Sequence, residues 1–134
     1  MVGTLNEVLI DSILETLPLE FSVIDKNDKV LAWNRHGTRL FKRPVAVIGR
    51  YVRDCHPKKS LHLVEKLLEE MKSGERDKAR FWIDLDIDDA GSPRKIMIEY
   101  YALRDKDGKY LGCVEATQDI TDIQKLEGQK RLLD

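Results

Sequence analysis

Ala79-Arg80-Phe81-Trp82-Ile83-Asp84-Leu85-Asp86-Ile87-Asp88 sets Ala79, Phe81, Ile83, Leu85 and Ile87 in strict alternation with Arg80, Trp82, Asp84, Asp86 and Asp88. Successive side chains of a strand point to opposite faces, so this stretch predicts a strand with its odd-numbered residues buried. Downstream, Ala90-Gly91-Ser92-Pro93 reads as a turn into Ile96-Met97-Ile98-Glu99-Tyr100-Tyr101. Asp105-Lys106-Asp107-Gly108 then turns the chain into a run from Tyr110 to Thr117. Three strands joined by short glycine-containing loops form an antiparallel meander. In the last run Leu111, Cys113, Glu115 and Thr117 share one face by parity. If that face is internal, Glu115 is a buried acid in need of a partner.

Upstream the period changes. Ser60 to Ser73 places Leu61, Val64, Leu67, Leu68 and Met71 on one helical stripe, with Gly74 suited to the C-terminal cap. His62 falls opposite that stripe and faces solvent. Asn34 is expected to cap a short helix through Phe41, and Pro44, Gly49 and Pro57 then punctuate the chain. Phe21 to Ile24 and Val30 to Trp33 flank Asp25-Lys26-Asn27-Asp28 and read as a hairpin. Thr4 to Leu17 has a helical period closed by Pro18, with an apolar face wider than solvent favours. A final helix is expected from Thr121, where Gln124 completes a capping-box pattern. The order is helix, two strands, short helices, one long helix, three strands, helix. That predicts an α+β domain with one antiparallel sheet carrying helices on one face.

The chain has 134 residues, enough for one hydrophobic core. Its net charge of −1 builds in no general attraction to nucleic acid or anionic membranes. The charge is unevenly spread. Eight basic residues and one acid, Asp54, lie between Arg35 and Lys59. Cys55 and Cys113, far apart and outside any CxxC spacing, point to a reducing cytoplasm rather than a disulfide framework. No apolar run approaches the ~20 residues of a membrane span. Metalloprotease, serine-hydrolase and phosphate-loop motifs are missing, so no enzyme is expected.

This order and these lengths resemble the PAS domain. Trp33-Asn34 is similar to the family's strand-to-helix junction, Val47-Ile48-Gly49-Arg50 to its entry into the middle helices, and Asp119-Ile120-Thr121 to its exit. Cys55-His56-Pro57-Lys58-Lys59-Ser60, Tyr101-Ala102-Leu103-Arg104-Asp105 and Leu126-Glu127-Gly128-Gln129-Lys130-Arg131-Leu132-Leu133 most resemble the C-terminal PAS domain of bacterial and archaeal hemerythrin-like (HHE) proteins. The resemblance implies a five-stranded antiparallel PAS sheet with helices on one face and flanking terminal helices. It divides the chain into an N-terminal helix (1–17), a core (18–121) and a signalling helix (122–134). It also implies a sensor that binds a small ligand or cofactor in its core and relays that state through its terminal helices. The alternative is a ligand-free dimerisation module for a neighbouring domain, such as a hemerythrin-like one.

Haem is the leading cofactor candidate. His56, at the kink before Pro57, is the expected iron ligand, with Arg50 and its basic neighbours available to the propionates. Cys55, Glu115 and Cys113 complete the candidate site. Cys55 lies where light-sensing relatives carry a flavin-reactive cysteine, but the surrounding Gly49-Arg50-Tyr51-Val52-Arg53-Asp54 departs from their motif. A metal or redox centre at Cys55 and His56 needs further ligands, to which Cys113 is one candidate. The N-terminal helix, with Leu5, Leu9 and Ile13, is the expected seam of a homodimer.

Overall fold

A computed structural model describes residues 1–86 and 92–133. The elements are α1 (Glu7–Thr16), β1 (Glu20–Asp25), β2 (Val30–Trp33), α2 (Lys58–Ser73), β3 (Lys78–Leu85), β4 (Arg94–Arg104) and β5 (Tyr110–Asp119). Short 3-10 turns occur at Val45–Val47, Val52–Cys55 and Ile123–Lys125. The strands form one sheet in the order β2-β1-β5-β4-β3, with every neighbouring pair antiparallel. This is the expected five-stranded α+β architecture. The expected continuation of β3 through Ile87 and the turn at Ala90-Gly91 lie outside the described residues. Among those described, no helix is long and apolar enough to cross a membrane.

One face of the sheet and the C-terminal half of α2 enclose the core: Ile24, Val52, Leu68, Met71, Ile96, Ile98, Tyr100 and Cys113. Gly74 ends α2 with φ of 83°, its N–H bonding back to the carbonyls of Glu70 and Met71. A residue with a Cβ reaches that left-handed conformation only at a cost. His62 is exposed, as the helical stripe predicts.

Three expectations need correction. First, no helix runs from Asn34 to Phe41. The Asn34 amide instead donates to the carbonyls of Leu14 (2.6 Å) and Leu19 (2.9 Å), and its oxygen accepts from Phe21 N–H at 2.6 Å. A side chain committed to three backbone groups on other segments cannot also cap its own. Second, the C-terminal helix is reduced to the turn Ile123–Lys125. The Thr121 hydroxyl donates to Asp119 and accepts from Lys95 N–H, so it caps nothing, and Gly128 turns left-handed at φ 63°. Leu126, Leu132 and Leu133 are exposed, leaving no packed face to stabilise a short helix.

Third, Leu111 does not share the inner face of β5. Gly112 pairs with Leu103, but Tyr110 pairs with Arg104, so Leu111 is an extra residue, a β-bulge. Tyr110 therefore packs against the core while Leu111 points outward, 51% exposed. At Gly112 φ is 147°, and a Cβ would lie 2.2 Å from the Ile24 carbonyl oxygen, so only glycine fits. Cys113, Glu115 and Thr117 do face inward, as parity predicts.

Candidate functional site: an apolar cleft with a polar inner end

Between α2 and the strands β3 and β4 lies a cleft of about 1010 Å³. Ala79 and Phe81 and Ile83 from β3, Ile98 and Tyr100 from β4 and Glu115 from β5 line its sheet side. Leu63, Val64, Leu67 and Glu70 of α2 form the opposite wall, and Leu40 to Arg43 cross the inner end. The odd-numbered face of β3, expected to be buried, is therefore only partly so. Phe81 and Ile83 remain 42% and 37% exposed, because they face the cleft rather than packed side chains.

The strap from Leu40 to Arg43 is held by a buried ion pair. Arg39 donates to the carbonyls of Phe21 (3.0 Å), Asn34 (2.9 Å) and Phe41 (3.2 Å) and to Ser22 Oγ (3.1 Å). Glu20 lies 3.8 Å from Arg39 and accepts from the backbone N–H groups of Leu40 and Phe41. Burial lowers the guanidinium's pKa, an effect that Glu20 opposes. Buried charges persist where their polar atoms are satisfied, and these are. With the strap's backbone fixed in this way, Leu40, Phe41, Lys42 and Arg43 border the cleft.

At the inner end the Glu115 carboxylate is buried. Tyr100 O–H donates to its Oε2 at 2.8 Å, and an Arg43 terminal nitrogen lies 3.5 Å from the same oxygen. Burial, reinforced by Glu115, pushes the Tyr100 hydroxyl well above its ordinary range, so it stays a donor. Arg43 Nε is buried without a hydrogen-bond partner among the described residues. Phe81 stacks on Tyr100 with ring centroids 6.2 Å apart and planes 18° from parallel, giving the cleft an aromatic wall.

Of the residues singled out from the sequence, Cys55, His56 and Glu115 line the cleft, whereas Arg50 and Cys113 do not. Arg50 is exposed, and its backbone bonds to Val30 and Val47. Cys113 is fully buried in the core, where desolvation, then Glu115, pushes its thiol up to about 12. His56 Nδ1 lies 2.9 Å from the Val52 carbonyl, so it acts as the donor and leaves Nε2 free. The Cys55 thiol donates to the Tyr51 carbonyl at 3.6 Å. The basic run disperses. Arg39 pairs with Glu20, Arg53 lies over the Tyr51 ring, and of the eight only Lys42 and Arg43 border the cleft. No group of three or more His, Cys, Asp or Glu able to hold a metal exists among the described residues.

The model of one domain family, the PAS domain, matches residues 10–121. The chain belongs to the PAS domain family. Solved structures agree with that assignment. The C-terminal domain of a Streptococcus mutans protein is 32% identical, with 95% of this chain and 94% of that one covered and a TM-score of 0.82. The PAS domain of Bordetella pertussis BvgS is 18% identical over 90% of this chain and 91% of its own, with a TM-score of 0.60. VqmA bound to DPO is 20% identical over 90% of this PAS domain and 64% of its own chain, at a TM-score of 0.59. The last two likenesses concern the fold alone. No curated protein matches the sequence. PAS domains are typical of sensory and signalling proteins and serve there as regulatory rather than catalytic modules.

Proposed function

We propose that this PAS domain takes a small organic ligand or cofactor into the cleft and relays its bound state to the segments flanking the core. One observation carries the reading: Arg43 and Glu115, both largely withdrawn from water, sit at the inner end of an apolar cleft, and Arg43 Nε has no partner. Few precisely placed polar groups within an apolar concavity are what a small-molecule site requires. A relay route is also at hand. The strap that carries Arg43 is bonded to Arg39, Arg39 to Asn34, and Asn34 to the last turn of α1. Gentle purification followed by native mass spectrometry and a visible spectrum tests the reading. An added organic mass or a chromophore supports it. An apo mass, together with no response of cleft residues to any added small molecule, would overturn it in favour of a ligand-free dimerisation module.

Haem is the cofactor that the free Nε2 of His56 favours. His56 would hold the iron and Lys42 would face a propionate, and the bound group would supply gas or redox sensing. Haemin titration of wild type and of His56→Ala checks this: an unchanged Soret spectrum and affinity removes it.

The homodimer held by α1 is part of the proposal. No residue of α1 is buried, and Val8, Leu9, Ile10, Ile13 and Leu14 are all exposed. Sedimentation of the full chain and of a chain beginning at Pro18 tests it, since a dimer unaffected by the deletion excludes α1 as the seam. A hemerythrin-like partner domain and a cytoplasmic location complete the reading, the first on the sequence motifs and the second on two free cysteines.

A further inference from the structure

The two edges of the sheet are finished differently. β2 has four residues, and the outer side of Val30 is closed by backbone bonds with Gly49 and Arg50. β3 has eight residues in unbroken register with β4 and contains no proline. It carries three consecutive large apolar side chains in water, Phe81, Trp82 and Ile83, with Trp82 64% exposed. Among the described residues no backbone group bonds to its outer side. Sheets commonly blunt such an edge by shortness, proline or a bulge, and β3 has none of these. The neighbouring ladder fixes where its backbone points. Ala102 N–H donates to the Asp77 carbonyl, so the odd-numbered residues of β3 are those bonded to β4. The N–H and C=O groups of Lys78, Arg80, Trp82 and Asp84 therefore point out of the free edge.

We propose that β3 pairs antiparallel with β3 of a second copy, about a two-fold axis at Trp82, to give one continuous sheet through both domains. Only a register that sets even residues opposite even residues joins the free groups, and among such registers the charges select one. β3 and the residue after it are basic at the start (Lys78, Arg80) and acidic at the end (Asp84, Asp86). With Trp82 opposite itself, Arg80 faces Asp84 of the second copy and Lys78 faces its Asp86, each twice by symmetry. A two-fold at Phe81 or Ile83 puts Trp82 opposite Arg80 or Asp84 instead. The match extends onto β4. Arg80 already pairs with Glu99, and Asp84 with Lys95, so the row Glu99, Arg80, Asp84, Lys95 alternates in sign across the seam. On the cleft side Phe81 comes opposite Ile83, which covers apolar area that the single domain leaves in water. A second copy is the occupant because the strand is complementary to its own reversal. The seam is separate from α1, whose last turn bonds to Asn34 just after β2, the opposite edge, and it does not depend on what fills the cleft.

Hydrogen exchange of the full chain, dilute and concentrated, reads the edge directly. The amides of Arg80, Trp82 and Asp84 should slow about tenfold or more at high concentration, whereas those of Phe81 and Ile83, bonded to β4, are slow at both. Charge reversal then tests the register. Arg80→Asp sets like charges together at Asp84 of the second copy, and Asp84→Arg does so at its Arg80. Each variant alone should therefore associate about tenfold or more weakly in sedimentation equilibrium. Mixed in equal amounts, the two variants face each other with every pair restored, and association should return to the wild-type level. Effects within one chain are the same in the mixture as in the single samples, so the recovery reports the seam alone. A contact between α1 helices leaves both the even-numbered amides and the charge dependence untouched. If the even-numbered amides exchange equally fast at both concentrations, the edge does not pair. If the single variants associate as wild type does, or their mixture no better than either alone, the Trp82 register is wrong. Dispersed spectra establish that the variants fold, and if one does not, the wild-type exchange decides.

Discussion

The β1–β2 side of the sheet and the β3 side are built on opposite economies. Around β1, a buried guanidinium, a buried carboxylate and a buried amide have their polar atoms matched to the strap, to Ser22 and to the backbone. Around β3, large apolar side chains such as Phe81, Ile83 and Leu63 are left partly in water, and Arg43 keeps an unmatched donor. Matching every polar group makes a region rigid and single-valued. Leaving apolar area and a donor unmatched keeps free energy in reserve for whatever fills the space. The first region holds the scaffold, and the second is where an added molecule can change the domain's energy.

Substitutions can break or sharpen this contrast. The largest effect belongs to Gly112→Ala. It sets a Cβ against the Ile24 carbonyl at a φ of 147°, and should cost about 4 kcal/mol or more, enough to prevent folding. Urea denaturation reads this loss, and a stable variant would mean that the β1–β5 junction yields. Next comes Arg39→Met, which leaves Glu20 buried without its cation and should cost about 3 kcal/mol by the same measurement.

A matched pair on α2 then compares the two sides directly. Met71→Ala, in the closed core, should lose about 2–3 kcal/mol, whereas Leu63→Ala, on the cleft wall, should stay within about 0.5 kcal/mol of wild type. Equal losses would show that the cleft is packed shut in solution.

A smaller effect than the loss at Met71 concerns the outer face of β3, which ion pairs rather than burial fasten to β4. Glu99 accepts from Tyr101 O–H at 2.7 Å and pairs with Lys78 and Arg80, which lowers its pKa from 4.5 to about 2. A depressed carboxylate contributes stability that is fully present above its unfolded pKa and is lost as pH falls through the folded one. Between about pH 5 and 2, wild type should therefore lose up to about 1 kcal/mol that Glu99→Gln never had. Denaturation of both proteins across that range checks the difference. A variant with the same pH slope as wild type would remove Glu99 from the account.

Much of this layout was legible in the sequence because it depends on period. Alternation and helical stripes place α2, the three final strands and the inward Glu115 without knowledge of any tertiary contact. What escaped depends on tertiary contacts. Tyr100 meets Glu115 through the β4–β5 register, and Arg43 reaches it from a strap fixed by Arg39, so no local pattern announces the trio. Tyr100 does share parity with Ile96 and Ile98, which signals its face but not its partner. A glycine inside a strand is a bulge signal, and the bulge before Gly112 turns Leu111 outward against simple alternation. The Thr121 capping pattern failed for the opposite reason. It is a local signal, and a competing local bond to Asp119 together with a long-range one from Lys95 N–H overruled it.

The central position of β1 and β5 also bears on how the domain responds to a pull. Glu20 lies opposite Thr117 at one end of this pair and Asp25 opposite Gly112 at the other, so the chain enters β1 and leaves β5 at the same end. Tension between the two flanking segments therefore acts across the ladder and not along it. It opens the ladder one rung at a time, starting at Glu20 and Thr117, and no row of bonds shares the load. A weak, steady force at the chain ends is then enough to part the first rungs, while the bulge at Gly112 lies at the far end, the last to feel it.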